Sequence, residues 1–205
     1  MRAPLALLPL RALLALLWLA PALALAGAQQ YEKLTEPMRS RLASLAGEKA
    51  APRLLFRNGQ DGQRWLSDMS ARLEKRIPDR KTRLDFLLTL HFESKNNGLD
   101  PQLVLGLIEI ESGFKKYAVS RAEARGYMQV MPFWTREAGR PRDNLFSLRT
   151  NLIYGCWILG HYLDVEKGDY FRALGRYNGS LGRAEYPNAV ISAWKGRWKY
   201  DGPTD

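Results

Sequence analysis

Gly98-Leu99-Asp100-Pro101-Gln102-Leu103-Val104-Leu105-Gly106-Leu107-Ile108-Glu109-Ile110-Glu111-Ser112-Gly113-Phe114 reads as one apolar helix with an acid at its end. Asp100 can accept from the free backbone N–H groups of a first turn, and Pro101 suits the first helical position. Gly113 can take the left-handed conformation that closes a helix. Leu103, Leu107, Ile110 and Phe114 recur at spacings of three and four, a stripe that faces a core. Glu111 falls beside it on the row Val104, Ile108, Glu111, whereas Glu109 shares a row with Leu105 and Ser112. The two acids therefore point in different directions and form no facing pair. Apolar neighbours and the negative end of the helix dipole would both raise the pKa of Glu111, and a carboxyl group protonated near neutral pH can give its proton to a leaving group. Taken alone, this helix fits a solvated Glu111 equally well, so the choice falls to the rest of the chain.

Upstream of the helix, the chain opens with Arg2 and Arg11 around a short stretch, followed by Ala12 to Ala26 without a charge. A basic start, an apolar centre and small residues at a cleavage site are the pattern of a secretory signal peptide. It is expected over residues 1–28, cut after Ala26 or after Ala28. The run is interrupted by Pro21 and is shorter than the roughly 20 residues that span a bilayer. Leu25-Ala26-Gly27-Ala28 resembles a lipoprotein cleavage box with Ala28 in place of the lipidated Cys, so no lipid anchor is expected.

Between 29 and 97 the reading is helical. A short helix is expected around Glu36 to Leu45, then a loop marked by Pro52 and Asn58-Gly59. Trp65, Met69 and Leu73 form a stripe that Pro78 stops. Asp79 or Thr82 can cap the next helix, on which Leu84, Leu87, Leu88 and His91 share a face until Asn97-Gly98. No repeat is visible, and no alternating apolar run asks for a substantial sheet.

Composition narrows the chemistry. The formal charge is +10, or +8 without Arg2 and Arg11, which favours a polyanionic partner or an anionic surface. The basic residues are scattered and follow no nucleic-acid-binding motif, so nucleic acid is not an expected partner. Cys156 is the only cysteine, so no internal disulfide can form, and it is expected to be a buried small hydrophobe. His91 and His161 lie in no ligand-spaced cluster, and no metal site is expected.

Beyond Phe114 comes a loop with Ala118-Val119-Ser120, then Gly126-Tyr127-Met128-Gln129-Val130-Met131-Pro132. Small residues and a polar Gln129 suit a backbone that passes close to a ligand. Glu111-Ser112-Gly113-Phe114, Ser120 nine residues on, the Gly126 to Pro132 run and Ala173-Leu174-Gly175-Arg176-Tyr177-Asn178 together resemble the lytic transglycosylases with the soluble-type, goose-lysozyme-like catalytic domain. Asn151, Gly155, Tyr162 and Leu163 also resemble that family's N-x-x-x-G and Y-L helix. The resemblance covers about residues 98 to 190 and rests on four ordered motifs.

The resemblance implies a mainly α, lysozyme-like helical domain over 98–205, with room for a small β-hairpin near the central loop. Residues 29–97 would be a helical extension packed on it. It implies cleavage of the MurNAc-β-1,4-GlcNAc bond of peptidoglycan without water, leaving a 1,6-anhydro end, with Glu111 as acid and then base. Carried over by position, Ser120, Gln129 and Tyr177 would line the sugar site, Met128 and Met131 would pack at or under it, and Asn178 would hold the Tyr177 segment. No cofactor is implied. The expected partners are peptidoglycan glycan strands and an anionic envelope surface, and the expected location is the periplasm after leader cleavage.

One position departs from the family pattern: Glu123 stands where a Gly is usual. If that position needs a positive φ, Glu strains the loop by about 1–2 kcal/mol. Its carboxylate either points to solvent or acts as a second carboxylate near Glu111. Toward the C-terminus, Pro187 interrupts the helical pattern, and Trp194, Trp198 and Tyr200 either extend a glycan groove or cover the core. A hydrolysing muramidase of similar fold and a non-catalytic wall-binding module are the competing readings.

Overall fold

The computed structural model describes residues 29–48 and 50–203, and the expected leader at 1–28 lies outside them. The described residues form eight helices: α1 (Glu36–Gly47), α2 (Gly59–Leu73), α3 (Arg80–Asn96), α4 (Pro101–Ser112), α5 (Phe133–Glu137), α6 (Leu148–Val165), α7 (Tyr170–Asn178) and α8 (Glu185–Lys195). The mainly helical class expected from the sequence is the class observed. No strand forms among the described residues: the hairpin at the central loop is reduced to single antiparallel bridges from Val119 to Arg125 and from Arg125 to Val130.

The decisive stretch forms α4 as read. Asp100 accepts from the Gln102 N–H at 2.8 Å, and Gly113 closes the helix at φ 57°. Its burial goes further than a stripe, because every side chain from Pro101 to Ile108 is covered. A helix that is apolar all round belongs inside a protein. Here α8 and α3 pack against it. At Gly106 the fit to α8 is backbone to backbone: a Cβ there would stand 3.0 Å from the Trp194 nitrogen and 3.2 Å from the Val190 oxygen. Any larger residue would push the two helices apart.

Two expectations change in detail, and two open alternatives are resolved. Pro187 does not interrupt a helix; it sits in the first turn of α8, where its missing N–H has no acceptor to lose. Tyr186, Val190, Ala193 and Trp194 then face inward. On α3, Asp79 is the cap, accepting from the Thr82 N–H at 2.8 Å. The covered face holds Arg83, Phe86, Leu87, Leu90, His91 and Ser94, while Leu84 and Leu88 are half-buried. The face is rotated from the expected one because Arg83 is drawn inside, donating to the Ile77 and Pro78 carbonyls at 2.6 and 2.9 Å. At the C-terminus, Trp194 and Trp198 cover the core, and their indoles donate to Asp100 and Glu109, each at 2.8 Å.

One apolar cluster runs from Leu34 to Trp198, so the described residues before and after Gly98 share a core. Cys156 lies wholly inside it, and burial pushes its thiol far up.

Candidate active site

The last turn of α4 delivers Glu111 to the floor of a cleft of about 400 Å³, lined by Ile110, Glu111, Ser112, Gly113, Lys115, Ala118, Val119, Ser120 and Gln129. Glu111 is 6% exposed, and the Tyr186 hydroxyl donates to its Oε1 at 2.5 Å. Burial pushes the Glu111 carboxyl up to about 8, against the hydroxyl's opposite pull. Tyr186 itself is pushed well above its ordinary range, by burial first and then by the neighbouring carboxylate, so it remains a donor. With Oε1 occupied by Tyr186, the acidic proton belongs on Oε2. Glu111 is the one acid among the described residues that line the cleft.

Glu109 faces the other way. Its carboxylate is held by the Arg76 guanidinium, by Arg197 at 2.9 Å and by the Trp198 indole N–H at 2.8 Å.

The loop after the acid is fixed by bonds from three helices. From α4, the Ser112 hydroxyl donates to the Tyr127 carbonyl at 2.7 Å. From α6, Asn151 accepts the Met128 N–H at 2.8 Å and donates to the Arg125 and Leu145 carbonyls at 2.8 and 2.9 Å. One turn along α6, Gly155 makes room for Met128, since a Cβ at 155 would meet its sulfur at 2.3 Å. From α7, the Tyr177 hydroxyl donates to the Met128 carbonyl at 2.7 Å. The clamp holds Gln129 at φ 48°, its amide donating to the Ala118 and Gly126 carbonyls at 3.2 and 2.9 Å. Strain of this kind persists only where the surroundings over-determine it.

Of the residues expected from the sequence, Glu111, Ser120 and Gln129 come together at the cleft. Met128, Tyr177 and Asn178 are buried, at 0%, 1% and 4% exposed, and are not part of its lining. Met131 is half-buried outside the lining, with its N–H donating to Gln29 at 3.2 Å. The Ser120 oxygen accepts from the Ala122 and Ala124 N–H groups at 3.2 and 3.1 Å, which leaves its own proton to donate. Glu123 does take the left-handed conformation, φ 67°, the circumstance in which a non-glycine residue costs about 1–2 kcal/mol. Its carboxylate is exposed beside Arg125 at 3.7 Å.

The partner the sequence reading missed is Tyr186. The available signal was the spacing of Tyr186, Val190, Ala193 and Trp194, masked by treating Pro187 as a break. Asn151 and Gly155, which the sequence offers only as a pattern, hold and make room for Met128.

Residues 89–191 match the family model described as the transglycosylase SLT domain. A membrane-bound lytic murein transglycosylase C of Glaesserella parasuis is 55% identical over 40% of this chain and 24% of that protein. The protein of that name from Actinobacillus pleuropneumoniae serotype 5b is 53% identical over 23% of this chain and 12% of its own length. This chain thus spans about a quarter or less of those relatives. Among solved structures, an inactive mutant of the lytic transglycosylase Slt from Pseudomonas aeruginosa aligns with a TM-score of 0.42 and 17% identity, covering 78% of this chain and 40% of that one.

Proposed function

The chain belongs to the transglycosylase SLT domain family, and from that premise we propose that it cleaves the MurNAc-β-1,4-GlcNAc bond of peptidoglycan without water, leaving 1,6-anhydro ends. The observation that carries this reading is a single buried acid, held protonated near neutral pH, at a cleft lined by no second carboxylate among the described residues. Glu111 gives its proton to the glycosidic oxygen as the bond from the MurNAc anomeric carbon breaks. The substrate's N-acetyl group supports the positive charge left on that carbon. Glu111, now a carboxylate stabilised by the Tyr186 hydroxyl, takes the proton of the C6 hydroxyl as that oxygen closes onto the anomeric carbon. The carboxyl group ends as it began, no water is consumed, and no cofactor takes part.

Ser120 and Gln129 supply hydrogen bonds to the sugar from the cleft wall. Met128, Tyr177 and Asn178 act from beneath, and Met131 at the margin. A hydrolysing enzyme would need a carboxylate roughly 5–9.5 Å away to activate water or attack. The exposed Glu123, turned toward Arg125, is poorly placed to serve. The leader-like pattern of residues 1–28 supports export to the periplasm.

Mass spectrometry of fragments released from purified sacculi tests the reaction. Products 18 Da below the hydrolytic ones, with 1,6-anhydroMurNAc ends, are expected; reducing MurNAc ends alone would replace the reading with hydrolysis.

A further inference from the structure

Residues 29–34 precede the stretch that matches the family, form no helix or strand, and lie along α5 as a strap. At one end the Gln29 Oε1 accepts two N–H groups, from the Met131 backbone at 3.2 Å and from the Trp134 indole at 2.9 Å. At the other end the Glu137 carboxylate accepts from the Tyr31 hydroxyl at 2.8 Å and from the Leu34 N–H at 3.3 Å. Between these anchors the Tyr31 ring meets Phe133 edge-on, with centroids 5.5 Å apart, and Glu32 pairs with His161 of α6 at 3.0 Å. Gln29 is 4% exposed, so a segment with no regular structure of its own sends a polar side chain into the interior.

The point at which Gln29 binds bears on the cleft. Gln129 sits at φ 48° inside a turn closed by two backbone bonds between Arg125 and Val130, each at 3.0 Å. Ser112, Asn151 and Tyr177 hold Tyr127 and Met128, on the entry side of Gln129. On the exit side, beyond Val130, Pro132 has no N–H to offer, and the Met131 N–H is tied down by Gln29 before α5 begins. The same oxygen satisfies the indole of Trp134, which is 0% exposed, and a buried donor left without an acceptor is costly. One oxygen thus joins the exit of the turn to the helix that follows it.

We propose that Gln29 is a positioning residue for glycan cleavage and acts through Gln129. The proposal rests on the glycan-cleaving reading above, in which Gln129 binds the sugar. Gln29 is not part of the cleft lining; it fixes Met131, and with Met131 the presentation of Gln129 two residues earlier. A positive φ at a residue other than glycine persists only where its surroundings over-determine it, and Gln29 supplies the constraint on the exit side. Gln129 contacts the sugar in ground state and transition state alike, and Glu111 is untouched, so loss of Gln29 falls on KM and not on kcat.

A double-mutant cycle with steady-state kinetics on soluble peptidoglycan strands tests this. Gln29→Ala should raise KM about tenfold with kcat within about twofold of the parent. In a Gln129→Ala background the same change should move KM by less than about twofold, because the group it acts through is gone. The full effect in both backgrounds would show that Gln29 acts elsewhere, and a lowered Tm with KM unmoved would reduce it to a structural contact; either result overturns the proposal. A readout that needs no turnover is the Met131 amide, which in Gln29→Ala should exchange with solvent at least tenfold faster while the Gln129 side-chain amide resonances shift in NMR. If neither signal moves, the proposal falls whatever the protein cleaves. If both move in a protein that cleaves no glycan, the glycan-cleaving reading falls and the tie from Gln29 to Gln129 stands.

Discussion

Glu109 and Glu111 leave α4 two residues apart, about 200° around the helix, and end in opposite surroundings. Glu109 is bound by two guanidinium groups and an indole N–H. Glu111 meets apolar burial and one hydroxyl, and burial wins. The chemistry of a carboxyl group here is decided by which neighbouring segment covers it. Arg76, between α2 and α3, and Arg197, beyond Gly196, supply cations to one acid; α8 supplies Tyr186 and no cation to the other.

The sharpest break in that comparison is isosteric. Glu111→Gln should reduce turnover of sacculi at least a thousandfold, because the one carboxylic acid among the described residues that line the cleft is gone. Glu109→Gln should stay within about twofold of the parent. Release of soluble fragments under matched conditions reads both, and equal losses would mean the two acids do not differ as described.

Tyr186→Phe should have the next largest effect, lowering kcat by about 10–100-fold with little change in KM. Tyr186 favours the Glu111 carboxylate, so its removal raises the Glu111 pKa. The rate depends on protonated Glu111 and falls as pH rises through that value, so the alkaline fall in kcat, near pH 8 in the parent, should move to higher pH. A fall that stayed put or moved lower would show that the hydroxyl does not act on the acid.

A further effect is on stability. Because the folded-state pKa of Glu111 is raised above its ordinary 4.5, the folded protein binds more protons than the unfolded chain between about pH 4.5 and 8. Stability from this group is greatest below pH 4.5 and is lost as pH climbs through 8, on the order of 3–5 kcal/mol across the window. Glu111→Gln removes that dependence, so its gain over the parent in urea unfolding should be larger at pH 8 than at pH 5. Glu109→Gln should instead lose about 1–2 kcal/mol, since the charged partners of Glu109 are left unmet.

Much of this was legible in the chain itself. Asp100, Pro101 and Gly113 mark the ends of α4 by local chemistry alone, and Glu111, Ser120 and Gln129 fall in ordered motifs that converge on one cleft. Depth was harder to read. Met128 and Tyr177 stand in the same motifs, yet Asn151 and the space above Gly155 hold the loop backbone inward, so both are buried and line no part of the cleft among the described residues. The two partners that set Glu111 and Glu109 apart come from far along the chain: Tyr186 lies 75 residues from Glu111, and Arg197 lies 88 from Glu109. Local spacing cannot reveal such pairings, and Pro187 hid the helix that brings Tyr186 in.

The central claim is that burial keeps Glu111 protonated at neutral pH. A ¹³C NMR titration of its side-chain carboxyl, assigned by loss of the signal in Glu111→Gln, tests this most directly. The account predicts a midpoint near pH 8 in the parent; a midpoint near 4.5 would contradict it.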